Sequence, residues 1–342
     1  MSWADIFIFA VNSVLPIILL VALGYFLKEK RFFTKEFLKI ANKTVFRVLL
    51  PVLLFTNLAE MDSFADLRLD AVLYVLAVIA LLFAVGLALA CTTADRRQKG
   101  VLLQCVFRSN FALIGVPLAQ LIAGDKGVQA AALLSAFTIP VFNILAVVAL
   151  SAYVTTDGST SGISAKARIL KILRGIFRNP LILGVLAGIL YVLLKPAFSL
   201  LPDGILFWTG KFTFLKTALD YLAKASTPVA LLVLGGQFEL SRVKGLKRQI
   251  LLGMSGRLLF APLLGIGGAV LLQRLGVVHF DNGIFASFIA LFGTPVAVAS
   301  AIMAEEMDND GQLAGQLVVW TTLFSAIVIF AAVILLRALA LL

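Results

Sequence analysis

Apolar residues run along this chain in long blocks separated by short polar stretches. Five blocks carry no charged side chain and are long enough to cross a bilayer unaided: residues 6–27, 71–94, 127–156, 282–304 and 311–336. Five more are shorter or interrupted by charge: about 36–59, 100–124 with Arg108, 179–201 with Lys195, 214–238 with Asp220 and Lys224, and 249–273 with Arg257. The pattern predicts ten membrane-spanning helices, and those that carry charge must turn it toward protein or water.

Composition agrees. Of 342 residues 61% are hydrophobic and 14% charged, against roughly 25% charged in a typical soluble domain, and mean hydropathy is +1.05. A soluble globular fold, disorder and collagen-like repeats are excluded on these grounds. The start Met-Ser-Trp-Ala-Asp lacks a basic leader and a small-residue cleavage site, so the first block is expected to stay as a span.

The net charge of +11 would suggest nucleic acid in a soluble protein. In a membrane protein it sorts by side. With ten spans, the loops after odd-numbered helices hold 19 of the 29 Lys and Arg residues, the opposite loops hold 7, and Arg108, Lys224 and Arg257 lie within helices. The basic side is expected to be cytoplasmic, with both termini outside. Nucleic acid is not an expected partner; the lipid bilayer is.

The segment 155–178, with Gly, Ser, Thr and five basic residues, divides the spans into five and five, giving units 1–154 and 179–342. An odd-numbered repeat inserts its second copy upside down. Local matches support this: Pro16 to Gly24 in span 1 with Pro180 to Gly188 in span 6, Pro51-Val-Leu-Leu in span 2 with Pro228-Val-Ala-Leu-Leu in span 7, and Gly115-Val-Pro117-Leu-Ala119 in span 4 with Gly293-Thr-Pro295-Val-Ala297 in span 9. Proline removes a backbone donor and disrupts the preceding turn, so spans 4 and 9 are expected to break near Pro117 and Pro295. Paired broken helices in inverted halves point to a midplane binding site, and half-helix N-termini favour anions.

Other polar residues point elsewhere less strongly. Arg108, two residues before Asn110, could attract an anion or pair structurally; Arg257 and Lys224 are read as structural cations, and Asn57, Asn143, Gln120 and Gln237 could line a cavity, with inter-helix hydrogen bonding the commoner role. Glu305, Glu306, Asp308 and Asp310 fail the calcium-loop pattern because Leu317 stands where the bidentate Glu belongs. They are expected to pair with nearby basic loops. His279 is the one histidine, and Cys91 and Cys105 have no metal-ligand neighbours, so neither a metal site nor a disulfide is expected.

Leu50-Pro51-Val-Leu-Leu-Phe55, Asn110-Phe-Ala-Leu-Ile-Gly115-Val-Pro117-Leu, Arg178-Asn179-Pro180, the stretch Pro228 to Gly235, and Thr294-Pro295 running into Ala304-Glu305 and Asp310 together resemble the auxin efflux carrier family, which includes plant PIN exporters and bacterial malate or malonate permeases. The resemblance implies an all-α polytopic fold like that of bile acid/sodium symporters and sodium/proton antiporters, with broken spans 4 and 9 crossed. Spans 1, 2, 6 and 7 would be scaffold, and spans 3–5 and 8–10 an elevator-type transport domain. It further implies substrate contacts at Asn110, Gly115, Pro117, Gly293, Thr294 and Pro295, with Arg108 beside them, a homodimer, and a place in a bacterial inner membrane. The expected function is secondary transport of a small organic anion, without a cofactor and with coupling to protons or sodium open. A bile-acid-type sodium symporter and a non-transporting sensor are the alternatives. An intramembrane enzyme is not expected, since nothing pairs a nucleophile with a positioned base.

Overall fold

The computed structural model describes residues 3–59, 68–153, 179–198, 213–239 and 243–342; the basic linker 155–178 lies outside them. The described residues are helical throughout, apart from connections and one isolated bridge, as the apolar blocks predict. Five helices among them are long and apolar enough to cross a membrane, with shorter apolar helices beside them.

The first half begins with α1 (Trp3–Glu29), then α2 (Lys35–Thr44) and α3 (Leu50–Ala59), joined by a π-helical turn, Val45–Leu49. Thr34 opens α2 by accepting a hydrogen bond from the Phe37 amide at 3.1 Å, satisfying one of the donors a helix start leaves free. Next come α4 (Leu69–Cys91), α5 (Arg96–Phe107), a π turn Phe111–Gly115, and α6 (Val116–Tyr153). The 38-residue α6 is two helices meeting at Gly124, whose φ of 58° and ψ of −139° are open to glycine and strained for other residues.

In the second half α7 (Pro180–Phe198) starts with Asn179 accepting from the Leu181 amide at 2.9 Å, and Pro180 takes the first helical position, where its missing N–H costs nothing. It is followed by α8 (Phe214–Gln237) and α9 (Val243–Ser255). Two π turns, Gly256–Phe260 and Leu263–Gly267, carry α9 on to α10 (Gly268–Arg274). Then come α11 (Asn282–Phe288) with its π turn Ile289–Gly293, α12 (Ala299–Glu306) and α13 (Gly311–Ala338). Asp95, Asp281 and Asp310 cap α5, α11 and α13.

Small residues set the helix contacts, as expected where lipid leaves little hydrophobic drive between apolar helices. α1 packs on α8, where a Cβ on Gly24 would stand 2.1 Å from the Leu232 carbonyl oxygen and one on Gly235 2.0 Å from that of Val21. α3 packs on α7, with Gly184 against the Pro51 carbonyl. Elsewhere α4 lies on α5 and α6 on α11, around a ring cluster of Tyr74, Phe280, Phe285, Phe288 and Phe292. Leu15, Leu19, Leu23, Leu73, Leu190 and Leu193 remain exposed, giving the outer faces the apolar surface a bilayer covers.

The segment 305–310 meets one of the expected basic loops through Arg97, but not by ion pairs. Glu306 accepts from Asn42 at 2.8 Å, Asp310 accepts from Gln98 at 3.0 Å, and Arg97 donates to the backbone oxygens of Asp308 and Asn309. Among the described residues none of the four forms a salt bridge.

Candidate functional site

Two helical runs are interrupted, and they meet where they are interrupted. The second break is where the sequence puts it. Thr294 is extended (φ −77°, ψ 158°), the conformation a residue takes before proline because the ring crowds an α-helical neighbour. Its hydroxyl turns back to donate to the Ala290 carbonyl at 2.7 Å, and the chain stays open until α12 begins at Ala299.

The first break lies elsewhere than expected. α5 ends at Phe107, Arg108 is extended (φ −88°, ψ 104°), and the chain resumes as a π turn at Phe111. Pro117 sits in the first turn of α6. Its ring denies Leu113 an i+4 donor, and the wide turn Phe111–Gly115, closed by the Val116 amide on the Phe111 oxygen, takes up the mismatch. The opening is made at Arg108-Ser109-Asn110, whose backbone pairs across the crossing instead of within a helix.

Those three residues pair antiparallel with 295–297. Asn110 N donates to Pro295 O at 2.8 Å, Ala297 N donates to Arg108 O at 3.4 Å, and Ser109 opposes Val296. The Val296 amide is held by Thr321 Oγ1 at 3.2 Å. Gly115 lets the crossing close, since a Cβ there would stand 2.8 Å from the Ala290 carbonyl oxygen; one on Gly293 would meet only ordinary contacts.

A cavity of about 100 Å³ opens on one side of this crossing. The crossover contributes Arg108 to Ala112 and Ala297 to Ala299; α6 contributes Asn143, α3 Leu54 and Asn57, α7 Leu181, and α8 Thr227. The second half-helices thus start at the cavity, and a helix start presents amides without intrahelical partners and about half a positive charge. Arg108 is 4% exposed and donates to Asn143 Oδ1 at 2.9 Å and to the Met303 sulfur. Among the described residues no carboxylate pairs with it or lines the cavity. Asn110 Nδ2 and Ser109 Oγ are buried without a hydrogen-bond partner, and such a group costs about 1–3 kcal/mol unless a ligand or water satisfies it. The wall is otherwise largely apolar, with Leu50, Leu53, Ile139 and Phe142 among its side chains, so its polar part is a small, electropositive set of donors.

Of the residues singled out in the sequence, Arg108, Asn110, Asn57 and Asn143 therefore line the cavity, while Gly115, Pro117, Gly293, Thr294 and Pro295 do not; Gly115, Thr294 and Pro295 shape the crossing. Ser109 was not legible beforehand, having no signal beyond its place between two polar neighbours. Lys224 is exposed on α8. Arg257 is fully buried against the backbone of both broken runs. A second, larger cavity of about 640 Å³ lies apart from the crossing, between lysines of 28–43 and acids of 305–308.

Apolar helices packed through glycines around two interrupted runs are the construction of a membrane transport protein. The chain belongs to the family of that description, whose model matches residues 9–333 and which includes the auxin efflux carriers, as the sequence motifs suggested. An "Uncharacterized transporter" of Methanothermobacter thermautotrophicus is 27% identical over 329 residues, covering 94% of this chain and 97% of its own length. The protein is thus a multi-pass membrane transporter.

Proposed function

We propose that the chain is a secondary transporter of a small organic anion, a carboxylate, bound at the crossover cavity. One observation carries this reading: a buried arginine without a carboxylate partner lines the same small cavity as Ser109 and Asn110, whose Oγ and Nδ2 are buried without hydrogen-bond partners, and as two half-helix starts. Each favours negative charge, and together they match the oxygens of a carboxylate. The volume, well below the roughly 300–1,000 Å³ of pockets for drug-sized ligands, favours a cargo smaller than a bile acid.

Ten spans in two inverted repeats, 1–154 and 179–342, account for the packing pattern. α1 on α8 and α3 on α7 are contacts that exchange if the halves are related by a two-fold axis. Gly100 before the first break packs on Asn309 between the last two spans, and Gly283 before the second packs on Lys126 between spans 4 and 5. The cavity lies between α3, α7 and α8 on one side and the crossover on the other, the division an elevator needs: the crossover bundle slides past a scaffold and carries the anion with it. The chain resides in a bacterial inner membrane with its basic loops and the 155–178 linker in the cytoplasm, as a homodimer.

Purified protein in liposomes, loaded in turn with labelled mono- and dicarboxylates, tests the reading. Substrate-dependent flux is expected, and Asn110→Ala is expected to weaken ligand affinity about tenfold, the loss of one hydrogen bond to a charged group. Binding without flux under any gradient would make the protein a sensor. Unchanged affinity and flux in Asn110→Ala would move the site away from the crossover.

A further inference from the structure

Arg257 stands on the π turn Gly256–Phe260, fully buried, and among the described residues no carboxylate pairs with it. Its guanidinium is spent on backbone oxygens. Nε donates to Thr294 O at 2.9 Å, Nη2 to Leu291 O at 2.7 Å, and Nη1 to Val106 O and Phe107 O at 3.3 and 3.5 Å. Two of these carbonyls close α5, and the other two lie at the end of the run through Ile289–Gly293. One side chain therefore reaches the C-terminal ends of both interrupted helices.

The charges balance. A helix C-terminus carries about half a negative charge, so two of them present about one, which a single guanidinium matches. In broken-helix transporters generally, unwound carbonyls and half-helix C-termini of this kind are where a coupling metal cation is held. Here a covalently attached cation fills that electrostatic role. Four acceptors divided between two chain segments also suit a planar fork better than the compact ammonium of lysine.

We propose that Arg257 is a resident counter-cation of the crossover: it ties the two half-helix ends together, so that the anion site assembles without a bound metal cation. The inference rests on the crossover reading given above. Arg257 touches no ligand and is a positioning residue. It acts through the peptides it holds, Val106 and Phe107 immediately before Arg108, and Thr294 immediately before the segment that pairs with Ser109 and Asn110.

The test compares carboxylate binding and flux of the wild-type protein in sodium, potassium and choline chlorides at a fixed membrane potential. Affinity is expected to be the same in all three. Arg257→Ala is expected to bind the same carboxylate at least about tenfold more weakly, with affinity restored by low-millimolar guanidinium chloride and by neither sodium chloride nor urea at equal concentration. Arg257→Lys, which keeps the charge and loses the fork, is expected to bind severalfold more weakly without becoming sodium dependent, and it serves should Arg257→Ala not survive extraction. A sodium requirement in the wild type overturns the inference, as does a folded Arg257→Ala that guanidinium does not restore, or wild-type affinity in Arg257→Lys. Absence of carboxylate binding in the wild type in every salt would instead overturn the anion reading itself.

Discussion

Arg108→Met separates a ligand-binding arginine from a structural one, because the two roles predict opposite effects on the empty protein. Arg108 is 4% exposed and has the Asn143 oxygen and the Met303 sulfur as partners. A cation so placed carries a desolvation penalty of several kcal/mol. Against that, methionine leaves Asn143 Oδ1 without its donor, a cost of about 1–3 kcal/mol. The ligand-free variant is therefore expected to melt at the wild-type temperature or above it. With ligand bound the balance reverses: a unit charge about 4 Å from an anion is worth roughly 4 kcal/mol at an effective dielectric of 20. Water in the open cavity reduces this, leaving about 2–3 kcal/mol, or roughly a 30- to 150-fold rise in Kd. Thermal melts of detergent-purified protein, with and without the carboxylate that binds best, together with calorimetric titration, measure both quantities. A ligand-free melting temperature several degrees lower, combined with an affinity within about threefold of wild type, would refute the reasoning and make Arg108 a packing residue.

Gly235→Ala places a Cβ 2.0 Å from the Val21 carbonyl oxygen; α1 and α8 must separate, and a loss of about 1–3 kcal/mol is expected. Gly245→Ala, where a Cβ would meet nothing within 4 Å, is the control and should be neutral or stabilising in a thermal melt; equal effects would contradict the packing argument. Glu305 lies beyond the ninth predicted span with its carboxylate against Gly311. Burial, joined by Glu306, Asp310 and Asp308 and opposed by Arg97, raises its pKa above the ordinary carboxylate value. The folded state then holds this proton where the unfolded chain has lost it, so stability falls as pH rises from the ordinary value through the raised one. Glu305→Gln should flatten that part of a melting-temperature profile against pH, and an unchanged slope would contradict the assignment.

Much of the fold was legible because bilayer-scale apolar blocks are a local property, and Thr294-Pro295 marks its break locally too, through the ring's effect on the residue before it. The Gly115/Pro117 match misplaced the other break. Pro117 does not open the chain because the wide turn Phe111–Gly115 absorbs its missing donor, whereas Arg108-Ser109-Asn110 opens where its backbone finds partners on Pro295 and Ala297, far away in sequence.

By itself, then, the sequence determined that the chain is a helical membrane protein, where its apolar runs lie, which family it belongs to, and that two arginines, Arg108 and Arg257, lie within apolar runs. Only the tertiary structure decided what each arginine does. Arg257 meets the carbonyl ends of two broken helices and is neutralised by them, while Arg108, at the other side of the same crossing, meets an amide oxygen and a sulfur and is left facing a cavity. Partners contributed by distant segments fix the difference, and no local pattern of residues encodes them.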